Sequence, residues 1–183
     1  MKQVIIMRGP SGSGKGTWLK ENAWGAYVVS ADKYFMKKLS EDDPVLLEDD
    51  QWMGTEVLGR GPIGPIIKDG DIHYEYVFNP SKIALAHSWC MSEFLSALKE
   101  ERPLVAVDNT NTHLWEFKNY IRAAELAGYE VQVVAMRAIT VDDIKLCAKR
   151  NLHRVPIEVV AKMAYEYEPY EGEATPSINR HAC

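Results

Sequence analysis

The sequence predicts a three-layer α/β/α domain with a central parallel sheet, and three observations carry that reading. Apolar runs at 4–7, 27–30, 104–107 and 131–136 lack polar alternation, as strands covered on both faces do. A helical stretch follows each run, and strands alternating with helices give a parallel sheet clad on both sides. The length of 183 residues suits one domain.

The first run meets Arg8-Gly9-Pro10-Ser11-Gly12-Ser13-Gly14-Lys15-Gly16-Thr17 and gives way to a helix over 15–22. The second strand is followed at once by Asp32 and a short helical stretch to Leu39. From 40 to 72 the rhythm breaks. Glu41, Asp42, Asp43, Glu48, Asp49, Asp50 and Glu56 occur with no Lys or Arg until Arg60. Gly59, Gly61, Pro62, Gly64, Pro65 and Gly70 then admit little regular helix. An insertion of this length suits a lid or specificity element, or else a variable surface loop. Tyr74, Tyr76 and Phe78 alternate as one face of a strand, fit for packing or for stacking on bases.

Order returns after Asn79-Pro80. Ile83, Leu85, Trp89, Cys90, Phe94, Leu95 and Leu98 mark an amphipathic helix of about five turns. The third strand closes on Asp108-Asn109-Thr110-Asn111, and Thr112 is placed to cap the next helix. Leu114, Phe117, Ile121 and Ala124 form that helix's inner face and Gly128 stops it. The helix over 140–150 opens with Asp142 and Asp143 and closes with Lys149 and Arg150, charges that match its dipole. Pro156 starts a last helix to about Tyr167. A single domain over 1–168 with a flexible tail over 169–183 is expected.

Composition narrows the function. Hydrophobic residues at 46% and charged residues at 26% allow a packed core and exclude wholesale disorder. A net charge of −5 excludes a uniformly basic nucleic-acid coat but leaves room for a local basic cleft. No apolar run approaches the ~20 residues that span a bilayer, so no membrane partner is expected. Met1 to Met7 meets Arg8 and the glycines too early for a secretory signal. Cys90, Cys147 and Cys183 have no CxxC spacing and read as buried or idle thiols in a reducing cytoplasm.

Three clusters carry chemistry. Gly9 to Thr17 fits G-x-x-x-x-G-K between a strand and a helix. Glycines there let successive N–H groups turn inward as an anion nest, and the helix amino terminus adds its positive end. Gly9, Gly12, Ser13, Gly14, Lys15, Gly16 and Thr17 are therefore the expected phosphate-binding residues, with Lys15 reaching the outer phosphates of ATP or another NTP. Asp32 and Asp108 each follow a strand, which places both at the carboxyl edge of the sheet, where ligands of open α/β sheets bind. Asp108, at a Walker B-like position, suits a water-held Mg²⁺ together with Thr17. The third cluster is basic. Arg137, Lys145, Lys149, Arg150, Arg154 and Lys162 stand against Asp142, Asp143 and Glu158 in a lid region over 137–156 and its flank. Arg150 and Arg154, four apart around Asn151, are expected on one helix face reaching one polyphosphate. The five histidines show no metal-ligand spacing.

Gly-Lys-Gly-Thr at 14–17 resembles the loop of adenylate-kinase-type nucleotide kinases, whose metal is held largely through water. The ordered set of Lys15 and Thr17-Trp18, Ser30-Ala31-Asp32-Lys33-Tyr34, Asp108-Asn109-Thr110-Asn111 and Lys149-Arg150-Asn151 leading to Val155-Pro156 is similar to the polynucleotide 5′-hydroxyl kinase branch of P-loop kinases. The resemblance covers 1–39 and 73–167. It implies a P-loop NTPase fold with a helical lid, and ATP and Mg²⁺ as donor and metal. It also implies a DNA or RNA end, or a nucleotide, as acceptor. Asp32 would be the general base, Lys15 would stabilise the transferring phosphoryl group, and Arg150 and Arg154 would be lid arginines. Thr110 and Asn111, with Asp32, would lie near the acceptor. Gly16 and the insertion over 40–72 depart from that branch. They leave as alternatives a hydroxymethylated base, a nucleoside monophosphate, or a nucleotide-binding module without transfer.

Overall fold

The computed structural model describes residues 1–39, 57–60, 65–69 and 72–178. In chain order its elements are β1 (Gln3–Arg8), α1 (Lys15–Asn22), β2 (Tyr27–Val29), β3 (Met36–Lys38), β4 (Val57–Arg60), β5 (Pro65–Asp69) and β6 (Ile72–Tyr76). There follow α2 (Ile83–Lys99), β7 (Leu104–Asp108), α3 (Leu114–Leu126), β8 (Glu130–Ala135), α4 (Val141–Arg150) and α5 (Ile157–Tyr165). Among the described residues the strands form two sheets.

The first sheet runs β2-β7-β1-β8 and all its pairs are parallel. The chain crosses from β1 outward and then returns, so β1 and β7 lie centrally and their carboxyl ends meet, with Met7 opposite Asp108. The unbroken apolar runs are explained by burial on both faces. Val4, Ile6, Val105 and Val107 pack with Phe94, Phe117 and Ile121 from α2 and α3. Their neighbours Ile5, Met7, Ala106 and Val134 pack with Leu19 and Ala23 on the side of α1. Alternate residues of one strand thus feed two helical layers, which is the predicted three-layer α/β/α architecture.

The second sheet, β3-β6-β5-β4, is antiparallel. Here the structure differs from expectation. The stretch after Asp32 is a 3₁₀ turn, Ala31–Phe35, that ends in β3 and not in a helix reaching Leu39. Pairing of Met36 with Tyr76 extends the backbone there, and Phe35 is buried against Tyr76. The Gly/Pro-rich part of the insertion supplies β4 and β5, so that part is hairpin where a loop was expected. The acidic run over 41–56 lies outside the described residues.

Two further corrections concern termini. α3 is capped by His113 and not by Thr112. The His113 N–H donates to Glu116 Oε2 at 2.9 Å, while the Thr112 carbonyl is occupied by Arg8 and by the Glu168 N–H. The segment after Pro169 is packed as far as residue 178, where a flexible tail was expected. Ala174 pairs beside Val134, accepting from the Ala135 N–H at 2.8 Å and donating to the Val133 carbonyl at 2.9 Å. Arg8 explains why. It is fully buried, ion-paired to Glu173, bonded to the Glu168 carbonyl, and sandwiched between the rings of Phe117 and Tyr167. A buried guanidinium must have its donors satisfied, and here the Asn111 and Thr112 carbonyls do so together with Glu168 and Glu173 of the chain's last described segment. Residues 179–183 lie outside the described set.

α4 and α5 form a separate pair with their own small cluster of Ile144, Cys147 and Val160. α4 carries a capping box at Thr140 and Asp143, acids in its first turn and Lys149 and Arg150 in its last.

Candidate functional site

The loop between β1 and α1 is shaped by close approaches. A Cβ on Gly9 would lie 2.2 Å from the Met136 carbonyl oxygen, and one on Gly12 would lie 2.0 Å from the Cys147 carbonyl oxygen. Both residues have positive φ, 133° and 75°. Only glycine permits this, and the second contact seats the end of α4 directly on the loop. Gly14 caps α1, which has no acid in its first turn to compete for an anion.

Lys15 opens α1, and its Nζ donates to the Gly9 and Pro10 carbonyls at 3.0 Å each. Burial pushes its ammonium pKa down, opposed by Asp108 and then Asp32. Asp108 ends β7 beside it. Burial pushes that carboxyl up, and Lys15 is the strongest opposing influence. A Cβ on Gly16 would stand 3.7 Å from Asp108 Oδ2, so the bare backbone at 16 lets the carboxylate lie over the start of the helix.

Asp32 sits in the 3₁₀ turn that follows β2, with Ser30 Oγ accepting its N–H at 3.3 Å. Asn109 holds the two strand ends together, because its Oδ1 accepts the Ala31 N–H at 2.8 Å. That brace fixes Asp32 relative to Asp108. Tyr76 Oη donates to Asp32 Oδ1 at 2.8 Å, and His153 Nε2 lies 3.5 Å from Asp32 Oδ2. Burial, then the Asp32 charge, pushes the Tyr76 hydroxyl pKa well up, so it stays a donor. Burial pulls the His153 imidazole down, with Asp32 opposing.

Lys15, Asp32, Asp108, Asn109 and His153 share one cleft of about 1290 Å³. Gly12, Gly14, Lys15, Gly16 and Thr17 line its loop side, and Asp32, Asp108, Thr110, Arg150 and His153 line the rest. Gly9 and Ser13 do not line it. Ser13 is fully buried under the loop, so both act as loop framework and not as surface. Asn111 is also not brought to the cleft. It is buried at φ 46°, its amide donates to the Met7 carbonyl at 2.9 Å, and its own carbonyl accepts from Arg8. Arg154 does not join Arg150. The Asn151 side chain bonds Ala148 and Val155 and closes α4, so the helix ends at Arg150. Arg154 falls in the following turn at φ 54°, exposed and outside the cleft lining.

Sequence reasoning missed His153 and the Tyr76–Asp32 hydrogen bond. The histidine lies in the turn directly after the basic helix, yet nothing local signals that this turn reaches Asp32. Asn109 stood in a recognised motif without a role.

Oxygen donors in the cleft fit a magnesium ion carried by nucleotide phosphates. Mg²⁺ keeps most of its waters and needs only one or two carboxylates. Among the described residues no group of three or more His, Cys, Asp or Glu forms a dedicated metal cage. Among them too, no helix is long and apolar enough to cross a membrane.

A family model described as an AAA domain matches residues 4–170. Human NEDD4-binding protein 2 is 27% identical over 112 residues, covering 60% of this chain and 6% of that protein. Human YLP motif-containing protein 1 is 28% identical over 177 residues, covering 90% of this chain and 7% of that protein. The chain thus spans a small fraction of the curated relatives it matches. Among solved structures, a gluconokinase from Sinorhizobium meliloti 1021 superposes with a TM-score of 0.53 at 11% identity, covering 97% of this chain and 83% of that one. The Mycobacterium tuberculosis APS kinase CysC, solved with AMPPNP and APS, gives 0.50 at 14% identity, covering 98% and 90%. The fold is that of P-loop kinases.

Proposed function

The chain belongs to the AAA-domain family, and from that premise we propose that it is an ATP-dependent kinase whose acceptor is a polynucleotide 5′-hydroxyl. One observation carries the reading: a carboxylate, Asp32, is held in the same cleft as a phosphate loop and its lysine. A mere nucleotide-binding module has no need of a second carboxylate opposite Lys15, whereas a kinase needs a base for the incoming hydroxyl.

The chemistry follows from these positions. Lys15 exchanges the Gly9 and Pro10 carbonyls for oxygens of the outer phosphates. The inward amides of the loop hold the remainder of the triphosphate. Asp32 accepts the proton of the acceptor hydroxyl. The acceptor oxygen forms its bond to the γ-phosphorus as the bond to the β,γ-bridging oxygen breaks, and ADP leaves with that electron pair. Arg150 neutralises charge that spreads over the transferring group. Asp108, with Thr17, would hold Mg²⁺ through water, and the ion supplies charge neutralisation on the phosphates. Thr110, which lines the cleft, would contact the acceptor. With a net charge of −5, an acceptor needing few backbone contacts, such as a single end, suits the chain better than a long duplex.

The test is γ-labelled ATP with an acceptor panel. It comprises DNA and RNA oligonucleotides with 5′-hydroxyl ends, the same with 5′-phosphates, hydroxymethylated-base DNA and nucleoside monophosphates. Label on the 5′-hydroxyl oligonucleotides alone is expected. Label restricted to a modified base or a monomer moves the acceptor, and binding without transfer to any acceptor removes the kinase reading.

A further inference from the structure

The transfer chemistry above makes no use of His153, yet this side chain lies against the base. Its Nε2 is 3.5 Å from Asp32 Oδ2, and its ring lies on Tyr76 with centroids 4.1 Å apart. Tyr76 in turn donates to Asp32 Oδ1 at 2.8 Å. The other ring nitrogen, Nδ1, is buried without a hydrogen-bond partner. That orphan assigns the tautomer. A proton on Nδ1 would bury an unpaired N–H and turn a lone pair toward a carboxylate. A proton on Nε2 points a donor at Asp32 and leaves only a lone pair unsatisfied.

We propose that His153 is a positioning residue for Asp32: its Nε2–H and its tilted packing on the Tyr76 ring hold the carboxylate with Oδ2 turned to the cleft. The inference rests on the kinase reading of the same site. The arrangement divides the carboxylate's two oxygens. Oδ1 is occupied by Tyr76. Oδ2 faces a donor that stands just beyond a formed hydrogen bond, so it keeps a direction while remaining able to accept the acceptor's proton.

The origin of His153 adds meaning. It belongs to the turn that follows α4, the helix whose Cys147 carbonyl packs on Gly12 and whose last residue, Arg150, lines the cleft. One short segment therefore touches the phosphate loop and the base. The base is fully oriented only with α4 seated on the loop. A histidine kept solely to pack Tyr76 would make no distinction between apolar and amide replacements.

Steady-state transfer to the acceptor found with the wild type tests this, using His153→Leu and His153→Gln. His153→Leu is expected to lower kcat about 10- to 100-fold, the scale of a misplaced catalytic group, with KM for ATP changed less than about twofold. His153→Gln returns an amide N–H to the place of Nε2 and is expected to lie within about fivefold of wild type. In an Asp32→Asn background the His153→Leu loss is expected to shrink below about twofold, because there is no base left to orient. Wild-type turnover in His153→Leu overturns the inference, as does a His153→Gln enzyme as slow as the leucine variant, or a leucine loss undiminished beside Asp32→Asn. Should His153→Leu fail to fold, His153→Asn, whose shorter amide cannot reach, replaces it in the same comparison. A wild-type protein that labels no acceptor sinks the kinase reading itself. Normal wild-type transfer with indifferent His153 variants sinks only this inference.

Discussion

The two walls of the cleft are built by different means. The donor wall comes from one loop, Gly9 to Thr17, whose Gly12 and Gly14 to Thr17 line the cleft; backbone conformation shapes it and a single lysine supplies the charge. The base wall is assembled from four distant places. Asp32 comes from the turn after β2, Asn109 from just past β7, Tyr76 from the antiparallel sheet, and His153 from the turn after α4. A phosphate is gripped by local geometry that many folds can reuse. A base must be aimed, and aiming takes side chains from several elements at once.

If that division is right, damage to each wall has its own signature. The largest effect belongs to Lys15→Ala, expected to cut transfer by roughly 10³–10⁵, the range for a cation placed on the transferring phosphoryl group, and to weaken ATP as well. Asp32→Asn comes next. A loss of roughly 10²–10⁴ in kcat is expected with ATP affinity intact, read by single-turnover transfer beside equilibrium nucleotide binding. An Asp32→Asn enzyme that loses ATP instead would merge the two walls.

Arg150 and Arg154 sharpen the comparison further. Arg150→Ala is expected to slow transfer by about 10- to 100-fold, while Arg154→Ala stays within about twofold. Equal losses would restore the shared helix face that Asn151 interrupts. The smallest effects separate glycines within the donor wall. Gly12→Ala meets the Cys147 carbonyl at a left-handed φ and is expected to cost about 2–3 kcal/mol in urea unfolding. Gly16→Ser meets only ordinary contact with Asp108 and is expected to stay within about 0.5 kcal/mol.

What the sequence made legible follows the same line. The four apolar runs told of β1, β2, β7 and β8 because burial on both faces leaves a pattern in consecutive residues. The phosphate loop was legible because its glycines and lysine sit side by side. The antiparallel sheet was not, since β4 and β5 hide among Gly and Pro that read as loop. Spacing alone put Arg154 beside Arg150, and only the Asn151 cap reveals that the helix ends between them. The packed segment near Ala174 was illegible because its anchor, Arg8, stands at the far end of the chain. The contacts of Tyr76 and His153 with Asp32 are products of folding, with no trace in neighbouring residues.

The most direct measurement is calorimetric titration of the purified protein with ATP and magnesium. Saturable one-to-one binding that disappears on removing the Lys15 ammonium is the predicted result. A flat titration with every nucleoside triphosphate would contradict the account at its foundation.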